Sequence, residues 1–231
     1  MSVILLIETA TPICSTAICR DGQLVIMKEA TEKNAHSSIL SVLIEEMIKE
    51  SGISYKELDA IAVSSGPGSY TGLRIGVSTA KGLCYALEIP LISIGTLESM
   101  AKGAIIKHTD FDGLFCPMID ARRMEVYSAI YNKRMEIMKP VSADIITDES
   151  YSQVLVSNKI MFFGDGAEKT LSVFQGRANI LFDFDFVQSS QNMISLAEEK
   201  FKQNLFEDIA YFEPFYLKDF VAGKPSVKGL H

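Results

Sequence analysis

Hydrophobic and polar positions along the start of the chain predict three strands. An apolar run covers residues 3–8 and ends in an acid, and a weaker alternation follows at residues 15–20. Asp21 and Gly22 then form a two-residue turn signal before a third run at residues 23–30. The pattern therefore predicts a strand followed by a hairpin.

The next segment, residues 36–51, has the spacing of a helix that ends at Gly52. Its apolar stripe is wide, and acids and a lysine occupy the other side. A stripe of this width indicates burial on two sides, either in the chain's own core or against another subunit. The stripe consists of Ile39, Leu40, Val42, Leu43, Ile44, Met47 and Ile48.

Strands and helices then alternate up to a polar break at residues 107–113. We take this break as a domain boundary, which gives domains 1–108 and 109–231. The elements predicted before the break are a strand at 59–65, a helix at 71–87, a strand at 91–94 and a helix at 97–106.

After the break the opening pattern returns. LLIETA at residues 5–10 resembles CPMIDA at residues 116–121, and STAI resembles the later YSAI. Glu8 and Asp120, 112 positions apart, each end the first strand of a copy. Each half later places a strand before a GxG turn, in AVSSGPG and in MFFGDG. If the match is not a chance one, it predicts two similar α/β halves that face each other across a cleft.

The GPG turn at Gly66 and Gly68, followed by Ser69, admits two interpretations. A glycine turn between a strand and a helix exposes backbone N–H groups that can hold an anion. The segment is not a GxxxxGK loop, since Lys81 comes too late in the helix, and Thr71 replaces the third glycine of GxGxxG. Close packing is the alternative.

In the helix after this turn, Gly72, Gly76 and Ala80 stand four apart. Such a face of small residues lets another backbone approach closely. The approaching element is either the helix at residues 36–51 or another protein.

Further candidates for a ligand site lie at the ends of the predicted strands. Glu8 and Asp120, if they face each other, would hold Mg²⁺ through water, the alternative being acids hydrogen-bonded to nearby turns. Gly164, Asp165 and Gly166 form either a loop near a nucleotide or a plain turn.

The basic candidates are three arginines and the C-terminal tail. Arg74, Arg122 and Arg123 are placed to bind an anion such as ATP or a tRNA phosphate, or else to pair with surface carboxylates. The tail over residues 218–231 carries Lys218, Lys224 and Lys228, and it contacts tRNA or a partner unless it is simply a solvated end.

Composition narrows these possibilities. A net charge of −7 argues against a surface built mainly to neutralise a nucleic-acid backbone, so any such contact is local. The N-terminus has no cationic leader, no run is long enough to span a bilayer, and four scattered cysteines indicate buried thiols in the cytosol. Three scattered histidines make no metal pair.

Four segments resemble the TsaB family, also called YeaZ, of bacterial proteins that take part in making N6-threonylcarbamoyladenosine in tRNA. The resemblance covers nearly the whole chain, and it implies a two-lobed actin-like ATPase (ASKHA) fold of two ribonuclease-H-like halves. The segments are IETATPICSTAI, AVSSGPGSYTGLRIGVSTAKGL, PLISIGTLESMA and PFYLKDFVAGKP.

The related catalytic subunit, TsaD, carries an acidic pattern IETSCDET and a metal motif HLEGH. Laid on this chain, the acidic places fall on Pro12 and Ile13, and the two histidine places on Thr96 and Met100. Pro12 and Ile13 carry no charge, and Thr96 and Met100 are poor ligands for a hard or borderline divalent metal ion. The comparison therefore implies a subunit without catalytic residues or a required cofactor.

The family also implies that the helices before and after the GPG turn join a partner in a four-helix bundle. The partners implied are a TsaD-type catalytic subunit, a TsaE-type ATPase, tRNA through the complex, and a second copy in isolation. We then expect Gly76→Leu to abolish partner binding while the chain stays folded. The interface residues predicted are Ile39, Leu43, Met47, Gly72, Leu73, Gly76 and Ala80.

The competing hypothesis is a nucleotide-dependent ATPase or kinase-like enzyme of the same fold. It would bind ATP or ADP with Mg²⁺ through Glu8, Asp120 and the glycine turns. This hypothesis lacks a catalytic base of clear identity.

Overall fold

The computed structural model describes residues 1–31 and 36–218 and contains two five-stranded sheets. The strands are β1 Val3–Glu8, β2 Cys14–Arg20, β3 Gln23–Ala30, β4 Ala60–Gly66, β5 Leu91–Gly95, β6 Leu114–Asp120, β7 Glu125–Tyr131, β8 Ile137–Ile145, β9 Ile160–Phe163 and β10 Ile180–Asp183. The α-helices are α1 His36–Ser51, α2 Tyr70–Leu87, α3 Thr96–Lys107, α4 Ser152–Leu155, α5 Leu171–Phe174 and α6 Ile194–Lys202.

The first sheet has the order β3-β2-β1-β4-β5. β1, β2 and β3 are antiparallel, and β4 and β5 continue the sheet parallel to β1. Asp21 and Gly22 both have positive φ, 50° and 77°, as a tight primed turn requires, and Arg20 pairs with Gln23. The predicted hairpin is confirmed.

The second sheet repeats this topology, with the order β10-β9-β6-β7-β8. β6, β7 and β8 are antiparallel, and β9 and β10 run parallel to β6. Glu8 ends β1 and Asp120 ends β6, so the acids take equivalent places. The predicted repetition of two α/β halves is confirmed.

Packing crosses the predicted boundary at residue 108. α1 and α2 cover one face of the first sheet, and α6 covers the other, where Ile194 and Ala197 join Ile4 and Leu6 in one buried cluster. α3 packs instead on the second sheet, in the buried cluster around Phe115. Each half therefore lends a helix to the other, and the division into domains 1–108 and 109–231 stays a prediction.

The last described residues, 207–218, form an irregular segment that we call the strap. It starts beside β5, where the Glu207 N–H donates to the Leu91 carbonyl at 2.9 Å. The Lys81 ammonium then donates to the Phe212 carbonyl at 2.9 Å. At its end Lys218 forms an ion pair with Glu125 of β7. The strap thus runs along the first half and reaches the second.

The rest of the basic tail, including Lys224 and Lys228, lies outside the described residues. Across residues 1–31 and 36–218, no helix combines the length and the apolar composition that crossing a membrane would require.

Candidate functional site

The GPG turn lies at the end of β4, and other segments of the chain occupy the space beside it. The Ser69 hydroxyl accepts a hydrogen bond from the Gly72 N–H at 3.2 Å and caps α2, while the Ser69 N–H donates to the Ala10 carbonyl at 2.7 Å. A Cβ at Gly68 would collide with Ala10. Close approach of the β1–β2 turn therefore explains the glycine and removes one N–H group from anion binding.

The strap covers the same turn from the other side. The Phe215 N–H donates to the Ser65 carbonyl at 2.7 Å, and the Phe215 carbonyl oxygen lies 2.5 Å from the place of a Cβ on Gly66. The rings of Tyr216 and Tyr70 pack at 4.8 Å beside the start of α2. Two segments of the chain thus occupy the space next to Gly66 and Gly68.

The small-residue face of α2 packs inside the chain. The Thr9 hydroxyl donates to the Gly72 carbonyl at 2.8 Å, and a Cβ on Gly72 or Gly76 would collide with Thr9. Ala80 is fully buried in the core of the first half. The element that approaches is the end of β1 with the turn after it, not the helix or the partner that we predicted.

The predicted partner interface must be corrected for the same reason. Leu73 and Met47 are fully buried, Leu43 is 8% exposed, and Ile39 is half-buried against the core. These side chains face the first sheet, because the apolar stripe of each helix covers it. We predicted that a partner is contacted by Ile39, Leu43, Met47, Gly72, Leu73, Gly76 and Ala80. The structure places these residues against the chain's own core instead, so the predicted orientation is wrong.

The opposite faces of α1 and α2 form the exposed surface, which we call the outer face. Val42 is 46% exposed and Tyr85 is 81% exposed. An open groove of about 450 Å³ lies along α2 beside the start of α1, lined in part by Arg74, Ile75 and Ser78. The exposed members of the outer face are Ser38, Val42, Thr71, Arg74, Ser78, Gly82 and Tyr85.

Glu8 is fully buried at the end of β1. Its carboxylate accepts hydrogen bonds from the Ala10 N–H and from the Gln188 amide, both at 2.7 Å. Burial raises the pKa of Glu8, and the hydrogen bonds from Gln188 and Ala10 oppose this shift without cancelling it. Gln188 also donates to the Ser99 hydroxyl at 2.6 Å. Glu8 thus matches the alternative interpretation, an acid hydrogen-bonded to the adjacent turn.

Asp120 has a half-exposed side chain in an ion pair with Lys169, and it accepts the Arg122 N–H at 2.8 Å. The Asp165 carboxylate accepts the Asp120 N–H at 3.2 Å. A Cβ on Gly164 would lie 2.5 Å from the Met118 carbonyl, and one on Gly166 would lie 2.8 Å from the Ile119 carbonyl carbon. The GDG turn therefore packs against the end of β6, and Glu8 and Asp120 belong to separate networks.

The positions that correspond to the TsaD metal motif face the interior. Thr96 begins α3 and is fully buried, and Met100 is 1% exposed in the cluster around Phe115. Within residues 1–31 and 36–218, no three His, Cys, Asp or Glu side chains are grouped so that they could hold a metal ion.

The cysteines are free and buried, as predicted. Burial raises the pKa of Cys14 to about 11 and that of Cys84 to about 12. Such thiols are protonated at neutral pH, and a thiol rather than a thiolate is a poor nucleophile.

Sequence reasoning missed the residues that complete these contacts. Gln188 meets Glu8 across 180 positions of sequence, and Phe215 and Tyr216 lie in a segment without periodicity. Thr9 follows a predicted strand, but nothing in the pattern says which element approaches α2. No local signal identifies these partners.

The arrangement of strands and helices identifies the fold class of the protein. Two topologically equivalent halves with shared helices give the chain a two-lobed fold of the actin-like ATPase type. The chain is similar in fold to an activator of 2-hydroxyisocaproyl-CoA dehydratase from Clostridium difficile, with a TM-score of 0.53 at 8% identity over 89% of this chain and 98% of that one. A YEAZ-like protein from Pseudomonas aeruginosa superposes with a TM-score of 0.82 at 22% identity over 94% of this chain and all of that one.

The sequence comparisons give the family. A family model described as TsaD, tRNA N6-adenosine threonylcarbamoyltransferase, matches residues 27–228. The tRNA threonylcarbamoyladenosine biosynthesis protein TsaB of Escherichia coli K12 is 31% identical over 96% of both chains, and the protein of that name from Haemophilus influenzae is 26% identical over 96% of this chain and 95% of its own. The chain belongs to the TsaB (YeaZ) family, as its motifs indicated.

Proposed function

We propose that the chain is a non-catalytic subunit in tRNA threonylcarbamoyladenosine biosynthesis that supports threonylcarbamoyl transfer by a TsaD-type partner. The supporting observation is the content of the corresponding positions. Pro12 and Ile13 carry no charge, and Thr96 and Met100 are buried in the chain's own core. A chain with these residues contributes through a partner's conformation rather than through its own chemistry.

Docking takes place on the outer face of α1 and α2. Val42 and Ile75 supply apolar area there. Ser78 and Gly82 are small, so they leave the centre of the exposed side of α2 without bulky side chains. A Cβ on Gly82 would meet nothing within 4 Å, so this side of α2 is open to an approaching helix. The orientation is opposite to the one predicted from sequence, although the helices are the same.

A substitution at Ser78 tests this surface. Ser78→Arg places a long cation at the centre of the outer face, and we expect at least a tenfold loss of binding to the catalytic subunit, about 1.4 kcal/mol. The measurement is co-purification followed by titration calorimetry. Ser195→Arg makes the same change at an exposed position of α6 and should bind like wild type. Equal binding by wild type and Ser78→Arg would refute the surface.

Without the partner, a second copy covers the outer face. Exposed apolar helices tend to find cover, and a homodimer places the same patch of each copy on the other. Light scattering over a concentration series should show dimers for wild type and monomers for Ser78→Arg. A TsaE-type ATPase and tRNA belong to the proposed assembly, with tRNA held by the complex.

The competing enzyme hypothesis predicts a nucleotide between the glycine turns. Ala10 and Phe215 fill the space beside Gly66 and Gly68, and the Glu8 carboxylate already accepts two hydrogen bonds. We therefore propose that no cofactor is required. Calorimetry with Mg-ATP and an ATPase assay on the isolated chain test this, and tight binding with turnover would favour the enzyme.

A further inference from the structure

The turn between β6 and β7 presents two adjacent arginines. Arg122 and Arg123 both have positive φ, 70° and 49°, a conformation that non-glycine residues rarely adopt. Both residues are exposed. The turn is therefore held in an unusual shape with two guanidinium groups on its surface.

Hydrogen bonds fix the backbone of this turn. The Arg122 N–H donates to the Asp120 carboxylate at 2.8 Å, and the Ala121 N–H donates to the Glu125 carbonyl at 3.1 Å. The Glu125 N–H in turn donates to the Arg122 carbonyl at 3.2 Å. Because the backbone is clamped, the arginines are presented without a further cost of ordering the turn.

Two of the neighbouring acids are held in ion pairs. Lys169 pairs with Asp120, and Lys218 of the strap pairs with Glu125. Neither guanidinium group of Arg122 and Arg123 has a hydrogen-bond or ion-pair partner among residues 1–31 and 36–218. Asp165, next along, holds the Asp120 N–H. The turn thus presents two guanidinium groups that no described acid pairs, on a chain whose net charge is −7.

The strap connects this turn to the end of β4 in the first half. Asp120 is the carboxyl end of β6 and Gly66 the carboxyl end of β4. The strap joins these places, since Phe215 bonds to Ser65 and Lys218 to Glu125. In α/β proteins the carboxyl ends of the strands are the edge where ligands bind.

We propose that Arg122 and Arg123 contact the phosphate backbone of an RNA, the tRNA substrate of the assembly. This inference rests on the proposed function. A guanidinium group binds a phosphate through two parallel hydrogen bonds, and two such groups side by side suit successive phosphates. Since the chain as a whole has a net charge of −7, the contact is local, and it is strongly salt-dependent. It is separate from the outer face, which α1 and α2 supply.

The test compares two double variants that remove the same charge. R122A/R123A removes the turn arginines, whereas R20A/R134A removes exposed arginines at the end of β2 and in the β7–β8 turn. Fluorescence anisotropy of a labelled tRNA, titrated with the complex of the full chain and the catalytic subunit, gives affinity against salt. We expect the slope of log K against log salt to become less negative in R122A/R123A alone, by roughly 0.7–0.9 for each phosphate that is no longer bound.

An unchanged affinity and slope in R122A/R123A, or an equal loss in R20A/R134A, overturns the inference. So does competition by polyglutamate as effective as that by RNA, which would assign the turn to an acidic protein. Gel filtration of each complex is measured first. If the chain fails to join the catalytic subunit, the proposed function fails. The RNA titration is then made with the chain alone at low salt, where the same difference between variants must appear.

Discussion

Gly76 and Gly82 lie six residues apart on α2 in opposite environments. A Cβ on Gly76 would collide with the Thr9 hydroxyl, whereas one on Gly82 would meet nothing within 4 Å. We expect Gly76→Ala to lower the free energy of unfolding by about 1–3 kcal/mol through overpacking. Gly82→Ala should raise it by about 0.5–1 kcal/mol, because alanine restricts the unfolded chain and favours the helix.

Urea unfolding of both variants against wild type measures these changes. We predicted from sequence that Gly76→Leu leaves the isolated chain folded. The structure gives the opposite expectation, because the larger leucine side chain would also collide with Thr9. Equal stability of Gly76→Ala and Gly82→Ala would contradict the packing of α2 against Thr9.

Glu8 gives a prediction about pH. Its pKa in the folded protein is raised above the ordinary value of 4.5, so the folded state binds the proton more tightly than the unfolded state. Its contribution to stability is therefore largest below pH 4.5 and falls as the pH rises through 4.5 towards the folded pKa. Glu8→Gln removes this contribution.

We expect the stability of Glu8→Gln, relative to wild type, to rise with pH over that window and then stay level. Denaturant unfolding at a series of pH values measures the difference. A difference that does not change with pH would mean that Glu8 is not desolvated as its burial indicates.

At the residue scale, the sequence identified small side chains on α2 and acids at strand ends, because these are properties of local pattern. It could not identify Thr9 or Gln188 as their partners, because those contacts depend on where distant segments lie after folding. The apolar stripe of α1 likewise indicated burial on two sides without saying which. The structure turns that stripe inward.

At the scale of elements, strands and helices of the first half were predictable to within a residue or two. Periodicity, Gly52 and the Asp21-Gly22 turn account for that success. The strap was not predictable, since its contacts are backbone hydrogen bonds and ring packing with no repeat in the sequence. It is held in part by Lys81, whose ammonium donates to the carbonyls of Ala210 and Phe212.

Lys81→Met should loosen the strap, because it keeps most of the unbranched side chain and removes both hydrogen bonds. We expect faster hydrogen exchange at the Phe215 N–H, with α2 unchanged. Lys49→Met, on the exposed side of α1, is the matched control and should exchange like wild type. Unchanged protection in Lys81→Met would show that Lys81 does not hold the strap.

At the scale of the whole molecule, the internal repeat predicted two equivalent halves, and both sheets have that topology. The exchange of α3 and α6 between the halves was not visible, because a helix pattern says which face is apolar but not which sheet it covers. The halves share their cores as a result.

We propose that this chain acts by docking and carries no chemistry of its own. The most direct measurement is the yield of threonylcarbamoyladenosine in tRNA in a reconstituted reaction containing a TsaD-type subunit, a TsaE-type ATPase and threonylcarbamoyl-adenylate. We expect high yield with wild type and with Ser195→Arg, and little with Ser78→Arg or without the chain. Full yield when the chain is omitted would contradict it.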